Sequence, residues 1–126
     1  MKLCRIGKKD QEKPALIDSE GNYRDLSNTV SDFDPNTLNF DTFEKINKLN
    51  TKNLPLLDKE SRIGACVKNP SKFIGIGLNY KDHALEQNLP IPKEPIIFSK
   101  FTNCICGPND DIEVPKNSEH TDWEVE

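Results

Sequence analysis

The chain has 126 residues, of which 30% are charged and 34% hydrophobic, and this length suits one modest domain or two small ones. The formal net charge of −4 provides no positive surface for a nucleic acid or an anionic membrane. No apolar run reaches the roughly 18 residues of a membrane span, and the first residues lack the apolar core of a secretory signal. We therefore expect a globular, cytoplasmic protein with neither a nucleic-acid nor a membrane partner.

The four cysteines do not have the spacing of a zinc site or of a redox motif. The closest pair, Cys104 and Cys106, is separated by one residue rather than two. In a strand these two side chains share one face, where we expect core packing. Without a secretory signal, the four thiols are expected to be free and buried in a reducing compartment.

The first half of the chain predicts a strand, a hairpin and a helix. The stretch KLCRIG alternates as a strand does. In PALIDSEGNYRDL the turn formers DSEG separate two possible arms, residues 15–17 and 22–26. Asp41 and Glu44 have the spacing of a capping box, in its Asp form, ahead of apolar residues that fall on one helical face.

The second half predicts several strands around one short helix. KFIGIGLNY is apolar and interrupted by small residues, as in a buried strand that another group approaches closely. KDHALEQ suits about two helical turns, and IIFSKF, NCICG, DIEVP and DWEVE are short runs typical of a sheet-rich domain. If DWEVE is a strand, Trp123 points toward a core and the acids Glu124 and Glu126 share the opposite face.

Three sets of residues suggest chemistry, and each also has an ordinary structural explanation. His83 and Glu86 lie three apart on one helical face, where a carboxylate can orient an imidazole as a general base, or where the pair adds only about 0.2–0.5 kcal/mol to an exposed helix. Glu124 and Glu126 suit Mg²⁺ or Mn²⁺, or a solvated strand face. Lys100 could bind a substrate carboxylate or stabilise an oxyanion, or lie at a strand end with its ammonium in water.

Four stretches occur in a fixed order from residue 71 to residue 126: GLNYKDHALE, P-x-E-P-x-x-F-x-K, GPNDDIEVP and DWEVE. Together they resemble the opening of the catalytic domain of the fumarylacetoacetate hydrolase family, and the first part resembles the small N-terminal domain of longer bacterial members. The resemblance implies an α+β fold. Residues 1–65 would form a small N-terminal α/β domain, and residues 66–126 the beginning of the family's mixed β-sheet roll, truncated.

The resemblance also implies a divalent metal, usually Mg²⁺, held by two glutamates in E-x-E and a later aspartate. Glu124 and Glu126 match the two glutamates, and the later aspartate has no counterpart in this sequence. Asp82 precedes the histidine as in relatives, where it belongs to the metal site or its surroundings.

The catalytic histidine and glutamate of the family lie on a short lid helix, and His83 and Glu86 match them. Lys100 matches the lysine beside the family's substrate pocket. The implied activity is Mg²⁺-dependent cleavage of a C–C bond in an acylpyruvate or a 2,4-dioxo sugar acid by a homodimer. Two alternatives stay open: a ureidoglycolate lyase or another 2-oxo acid lyase, isomerase or decarboxylase, and an inactive fragment or dimerising module.

Overall fold

The structure is a computed structural model that describes residues 1–124 of the chain. The chain divides into two compact units. Unit 1 contains Met1–Ser71 together with Ile105–Asp111, and unit 2 contains Lys72–Cys104 and the residues from Ile112 onwards. The predicted domain boundary after residue 65 stays a prediction. In the described residues, no helix combines the length and apolar character needed to cross a membrane.

A three-stranded antiparallel sheet organises unit 1. Its strands are β1 (Lys2–Ile6), β2 (Lys13–Ile17) and β3 (Tyr23–Asp25), in the spatial order β1-β2-β3. The predicted strand and hairpin are therefore confirmed.

The turn between β2 and β3 is built around the carboxylate of Asp18. Its Oδ1 accepts hydrogen bonds from the backbone N–H groups of Glu20 at 2.9 Å and Asn22 at 2.8 Å. Gly21 has a φ of +76°, in the left-handed region that glycine adopts without a steric penalty. The Asn22 backbone and the Arg24 guanidinium hold the pKa of the Asp18 carboxyl well below its usual range. The acidic and glycine residues thus specify the turn that the sequence predicts.

The single α-helix of unit 1, α1, spans Phe40–Asn47. Asn39 caps it, because its side chain accepts a hydrogen bond at 3.0 Å from a backbone N–H of the first turn. The predicted capping box of Asp41 and Glu44 is therefore wrong. Glu44 instead accepts a hydrogen bond from Lys48 one turn later, at 3.1 Å. The helix begins early because asparagine is as good an N-cap as aspartate.

The core of unit 1 lies between the sheet and α1. One cluster of buried side chains consists of Leu16, Leu26, Val30, Phe33 and Ile46. A second, on the other side of the hairpin, consists of Cys4, Ile6 and Ala15. Each large apolar side chain buried in this way contributes about 1.5–3 kcal/mol relative to exposure.

The sheet of unit 2 has two antiparallel strands, β4 (Phe73–Gly77) and β5 (Ile96–Lys100). Gly75 pairs with Phe98, and a Cβ at Gly75 would collide with the Phe98 ring. The predicted close approach is confirmed. The prediction that this strand is buried is not confirmed, since Ile74 is 50% exposed.

Of the four short strands predicted from residue 96 onwards, three are absent from the described residues. Thr102–Cys104 forms a 3₁₀ turn, and residues 112–124 form no strand, because they have no β-pairing partner in the described part of unit 2. Trp123 is 84% exposed rather than buried in a core. The shared strand face of Glu124 and Glu126 is consequently not found: the chain up to Glu124 is not a strand, and Glu126 lies outside the described residues.

All four cysteines are free, as predicted, but only Cys4 is buried. Burial raises the pKa of its thiol to about 11. The other three are exposed, and Cys104 and Cys106 do not share a strand face because the NCICG stretch is not a strand.

Replacing Phe33, which is 1% exposed, by alanine is expected to lower the free energy of unfolding by about 3–5 kcal/mol, because it leaves a cavity in the unit 1 core. Phe40→Ala is the matched control, since Phe40 is 88% exposed, and its effect should stay within about 0.5 kcal/mol. Urea unfolding of both variants measures the difference. Equal losses would show that the core is not placed as described.

Candidate active site

The helix that carries His83 and Glu86 begins directly after a strained turn. Leu78, immediately after β4, has a φ of +51°, which is uncommon for a bulky residue with a Cβ. The helix, α2, spans Lys81–Glu86 and has no side-chain cap from Tyr80. Strained residues of this kind concentrate at functional sites. The prediction of a short helix at this position is confirmed.

A cleft of about 210 Å³ lies beside α2 within unit 2. Its lining includes two residues of α2, His83 and Glu86, and residues 122–124 from a segment far along the chain. The structure thus brings three of the predicted site residues, His83, Glu86 and Glu124, to one cleft.

Within this cleft, the His83 ring lies close to the carboxylate of Glu124. Its Nε2 lies 3.7 Å from Oε1 of Glu124, and the two side chains are 27% and 50% exposed. An imidazole and a carboxylate at this distance attract each other when the ring is protonated. The cleft therefore brings together an imidazole and a carboxylate that are distant in sequence.

Gln87 is a residue of the site that the motif analysis missed. Its side-chain nitrogen lies 2.6 Å from Nε2 of His83, one turn away along the chain. An amide nitrogen only donates, so Nε2 accepts, and the neutral ring carries its proton on Nδ1. The i, i+4 spacing of His83 and Gln87 was the available signal.

The other predicted site residues are placed as follows. Glu86 lines the cleft, but the His83 ring contacts Gln87 and Glu124, so the His83–Glu86 dyad stays a prediction. The Lys100 ammonium lies 5.4 Å from the centre of the Phe98 ring, on the shared strand face that alternation predicts. Lys100 does not line the cleft.

The described residues do not by themselves complete a metal site. Residues 1–124 contain no group of three or more His, Cys, Asp or Glu side chains that could hold a metal ion. Glu124 supplies one hard oxygen donor of the kind that Mg²⁺ prefers. Asp82 belongs to the first turn of α2 and does not line the cleft.

Mixed strands and helices, with a cleft that brings an imidazole close to carboxylates, define an α+β protein. Comparison with known proteins shows what this part of the chain is similar to. Residues 72–126 match the model of the fumarylacetoacetate hydrolase C-terminal domain.

Relatives and a solved structure agree with this similarity. Proteins named "putative hydrolase" from Burkholderia lata and Burkholderia ambifaria are each 52% identical over the whole chain, which spans 45% of their length. A solved structure from Mycobacterium smegmatis, named "putative HpcE protein", superposes with a TM-score of 0.66 at 26% identity. That superposition covers 92% of this chain and 41% of the other. The α+β fold class is thus confirmed.

The tautomer of His83 tests the geometry of the site. In the neutral ring, ¹⁵N spectra should show the Nδ1–H form in excess, because Nε2 accepts from Gln87. Gln87→Leu should remove the excess, and His120, the only other histidine in the chain, serves as the internal control. An Nε2–H form in the unmodified chain would show that the ring is held differently.

Proposed function

We propose that the chain is part of a Mg²⁺-dependent hydrolase that cleaves a C–C bond in an acylpyruvate or a 2,4-dioxo sugar acid. The observation that supports this most is the convergence of His83 and Glu124, 3.7 Å apart, in a cleft of the family segment. An imidazole in reach of a carboxylate suits a reaction in which water must lose a proton before it attacks a carbonyl. We also expect a cytoplasmic homodimer at the full length of the relatives.

His83 is the proposed general base, acting through Nε2. Gln87 occupies this nitrogen at 2.6 Å, so the attacking water must first replace the Gln87 amide. Because the proton of the neutral ring then lies on Nδ1, that atom can donate to a carboxylate, and Glu86 in the same cleft is the proposed acceptor. This arrangement would orient the ring and stabilise it when it becomes charged.

The proposed reaction consists of two proton transfers, the formation of a C–O bond and the cleavage of a C–C bond. His83 takes a proton from water, and the hydroxide oxygen bonds to the carbonyl carbon remote from the carboxylate. The C–C bond then breaks, its electron pair leaves with the pyruvate fragment as an enolate, and a proton converts that enolate to pyruvate. Mg²⁺, or Mn²⁺, would polarise the 2-oxo acid end as a Lewis acid. Glu124 and Glu126 are proposed to hold the ion, and Lys100 to bind anionic oxygens of the substrate.

His83→Ala is expected to lower kcat by about 10²–10⁴-fold, since it removes the general base. The measurement is turnover of an acylpyruvate by a protein that has the full length of the Burkholderia relatives, with Mg²⁺ affinity measured in parallel. His120→Ala is the control and should turn over normally.

Three outcomes would contradict this function or favour one of its alternatives. Unchanged kcat in His83→Ala would eliminate the proposed base. Release of urea from ureidoglycolate, without cleavage of any acylpyruvate, would identify a lyase on the same scaffold. Failure of the unmodified protein to turn over either class of substrate would support a non-catalytic module.

A further inference from the structure

The segment Ile105–Asp111 belongs to one part of the chain by sequence and to another by structure. It lies inside residues 72–126, which match the hydrolase family, yet it folds as part of unit 1 with Met1–Ser71. The chain therefore leaves unit 1 after Ser71, returns at Ile105 and leaves again after Asp111. Something in residues 1–71 must hold this returning loop.

Arg62 and Asp110 form a bidentate, or two-pronged, ion pair that holds the loop. Nε of Arg62 donates to Oδ1 of Asp110 at 2.6 Å, and Nη2 donates to Oδ2 at 2.6 Å. This parallel arrangement is the strongest geometry that a guanidinium and a carboxylate form. The two side chains are only 28% and 22% exposed. Oδ2 of Asp110 also accepts the backbone N–H of Gly107 at 2.7 Å, which closes the loop on itself.

Arg62 is held in turn by a buried carboxylate. Nη1 of Arg62 donates to Oε1 of Glu12 at 2.7 Å, and Oε2 of Glu12 accepts from Arg5 at 3.3 Å. The Glu12 side chain is 5% exposed. Arg5 also pairs with Asp32 at 2.6 Å, so alternating charges continue without interruption from Asp32 to Asp110. An isolated surface ion pair contributes little, whereas a network in which each member is already oriented costs less side-chain entropy.

The backbone of the loop also packs closely against the connection that carries Arg62. A Cβ at Gly107 would collide with the backbone carbonyl oxygen of Ile63, next to Arg62. Only glycine can approach this closely. The loop GPND is therefore seated against residues 62 and 63 by both shape and charge.

We propose that residues 1–71 are an obligatory intramolecular partner of the hydrolase-family segment, and that Arg62, oriented by Glu12, binds its 105–111 loop through Asp110. This interaction is independent of the reaction catalysed. The family segment therefore cannot be separated from the preceding residues at position 72 without releasing this loop.

Hydrogen exchange of the Gly107 amide in the 126-residue chain tests the proposal. Arg62→Met is the decisive variant, because Arg62 makes no hydrogen bond to this amide, and Asp110 can still accept it. If Arg62 holds the loop, exchange should become about tenfold faster or more, since charge-assisted hydrogen bonds to a partly buried carboxylate are lost. Arg62→Lys, which keeps the charge but not the two-pronged geometry, should give an intermediate rate and guards against a variant that does not fold.

Two controls separate this inference from general destabilisation. Lys48→Met with Glu44→Gln removes an ion pair whose side chains are 75% and 69% exposed in the same unit, and it should leave exchange at residues 105–111 unchanged. Asp110→Asn combined with Arg62→Met should accelerate exchange at Ile105 by less than the product of the two single effects, because both variants remove the Arg62–Asp110 ion pair. Protection of Gly107 that persists in Arg62→Met, or additive effects in the double variant, would overturn the proposal.

Discussion

The carboxylate of Glu12 is the constraint on which unit 1 depends. It is almost completely buried, and it lies between two guanidinium groups, those of Arg5 and Arg62. A buried carboxylate without partners costs several kcal/mol, at about the level at which whole domains are stable. Burial raises the pKa of Glu12, but the hydrogen bond from Arg62 and the two positive charges lower the pKa by more. The net shift of the Glu12 pKa is therefore downward. The strand that carries Arg5 and the connection that carries Arg62 must therefore meet at this carboxylate, and Arg62 in turn binds the returning loop through Asp110.

The same charges make unit 1 sensitive to acid. The two-pronged bond from Arg62 lowers the pKa of Asp110 to about 2. For Asp32, burial raises the pKa and the hydrogen bond from Arg5 lowers it more, so the net direction is also downward. Carboxylates with a depressed folded pKa stabilise the fold above their unfolded pKa of about 4, and this contribution is lost as the pH falls toward the folded value.

The unit that carries the candidate site is built differently. In the described part of unit 2, Ala84 is the only hydrophobic residue that is buried. Large apolar side chains there are exposed instead: Ile97 by 68%, Phe101 by 82% and Trp123 by 84%. The cleft around His83 is consequently shaped by a short helix, a strained turn and one distant segment rather than by a core. The chain spans 45% of the length of its Burkholderia relatives, so the activity of a whole protein is a proposal built on this partial site.

The sequence predicted local structure well where the signal was local. The hairpin at Asp18 and the close approach at Gly75 follow from turn chemistry and from the small size of glycine. The strand through Trp123 was wrong, because alternation describes a strand only where a neighbour supplies hydrogen bonds.

The site residues were identified from motif order, since the spacing of each pair alone also suits an exposed surface. Their meeting in one cleft could not be predicted, because it depends on tertiary contacts between distant segments. The role of Gln87 and the ion-pair network that ends at Asp110 were not predicted from the sequence, for different reasons. Gln87 stands outside the motif, and the network joins five residues from separate segments that no local pattern connects.

The central claim is that His83 and Glu124 belong to one metal-assisted site. Line broadening of the His83 ring signals by Mn²⁺ tests it most directly, because a paramagnetic ion held at Glu124 would lie close to a ring that is 3.7 Å from that carboxylate. We expect broadening in a protein that has the full length of the Burkholderia relatives and in its control variant Glu119→Gln, and sharp signals in Glu124→Gln. Signals that stay sharp throughout, or that broaden equally in Glu124→Gln, would contradict the account.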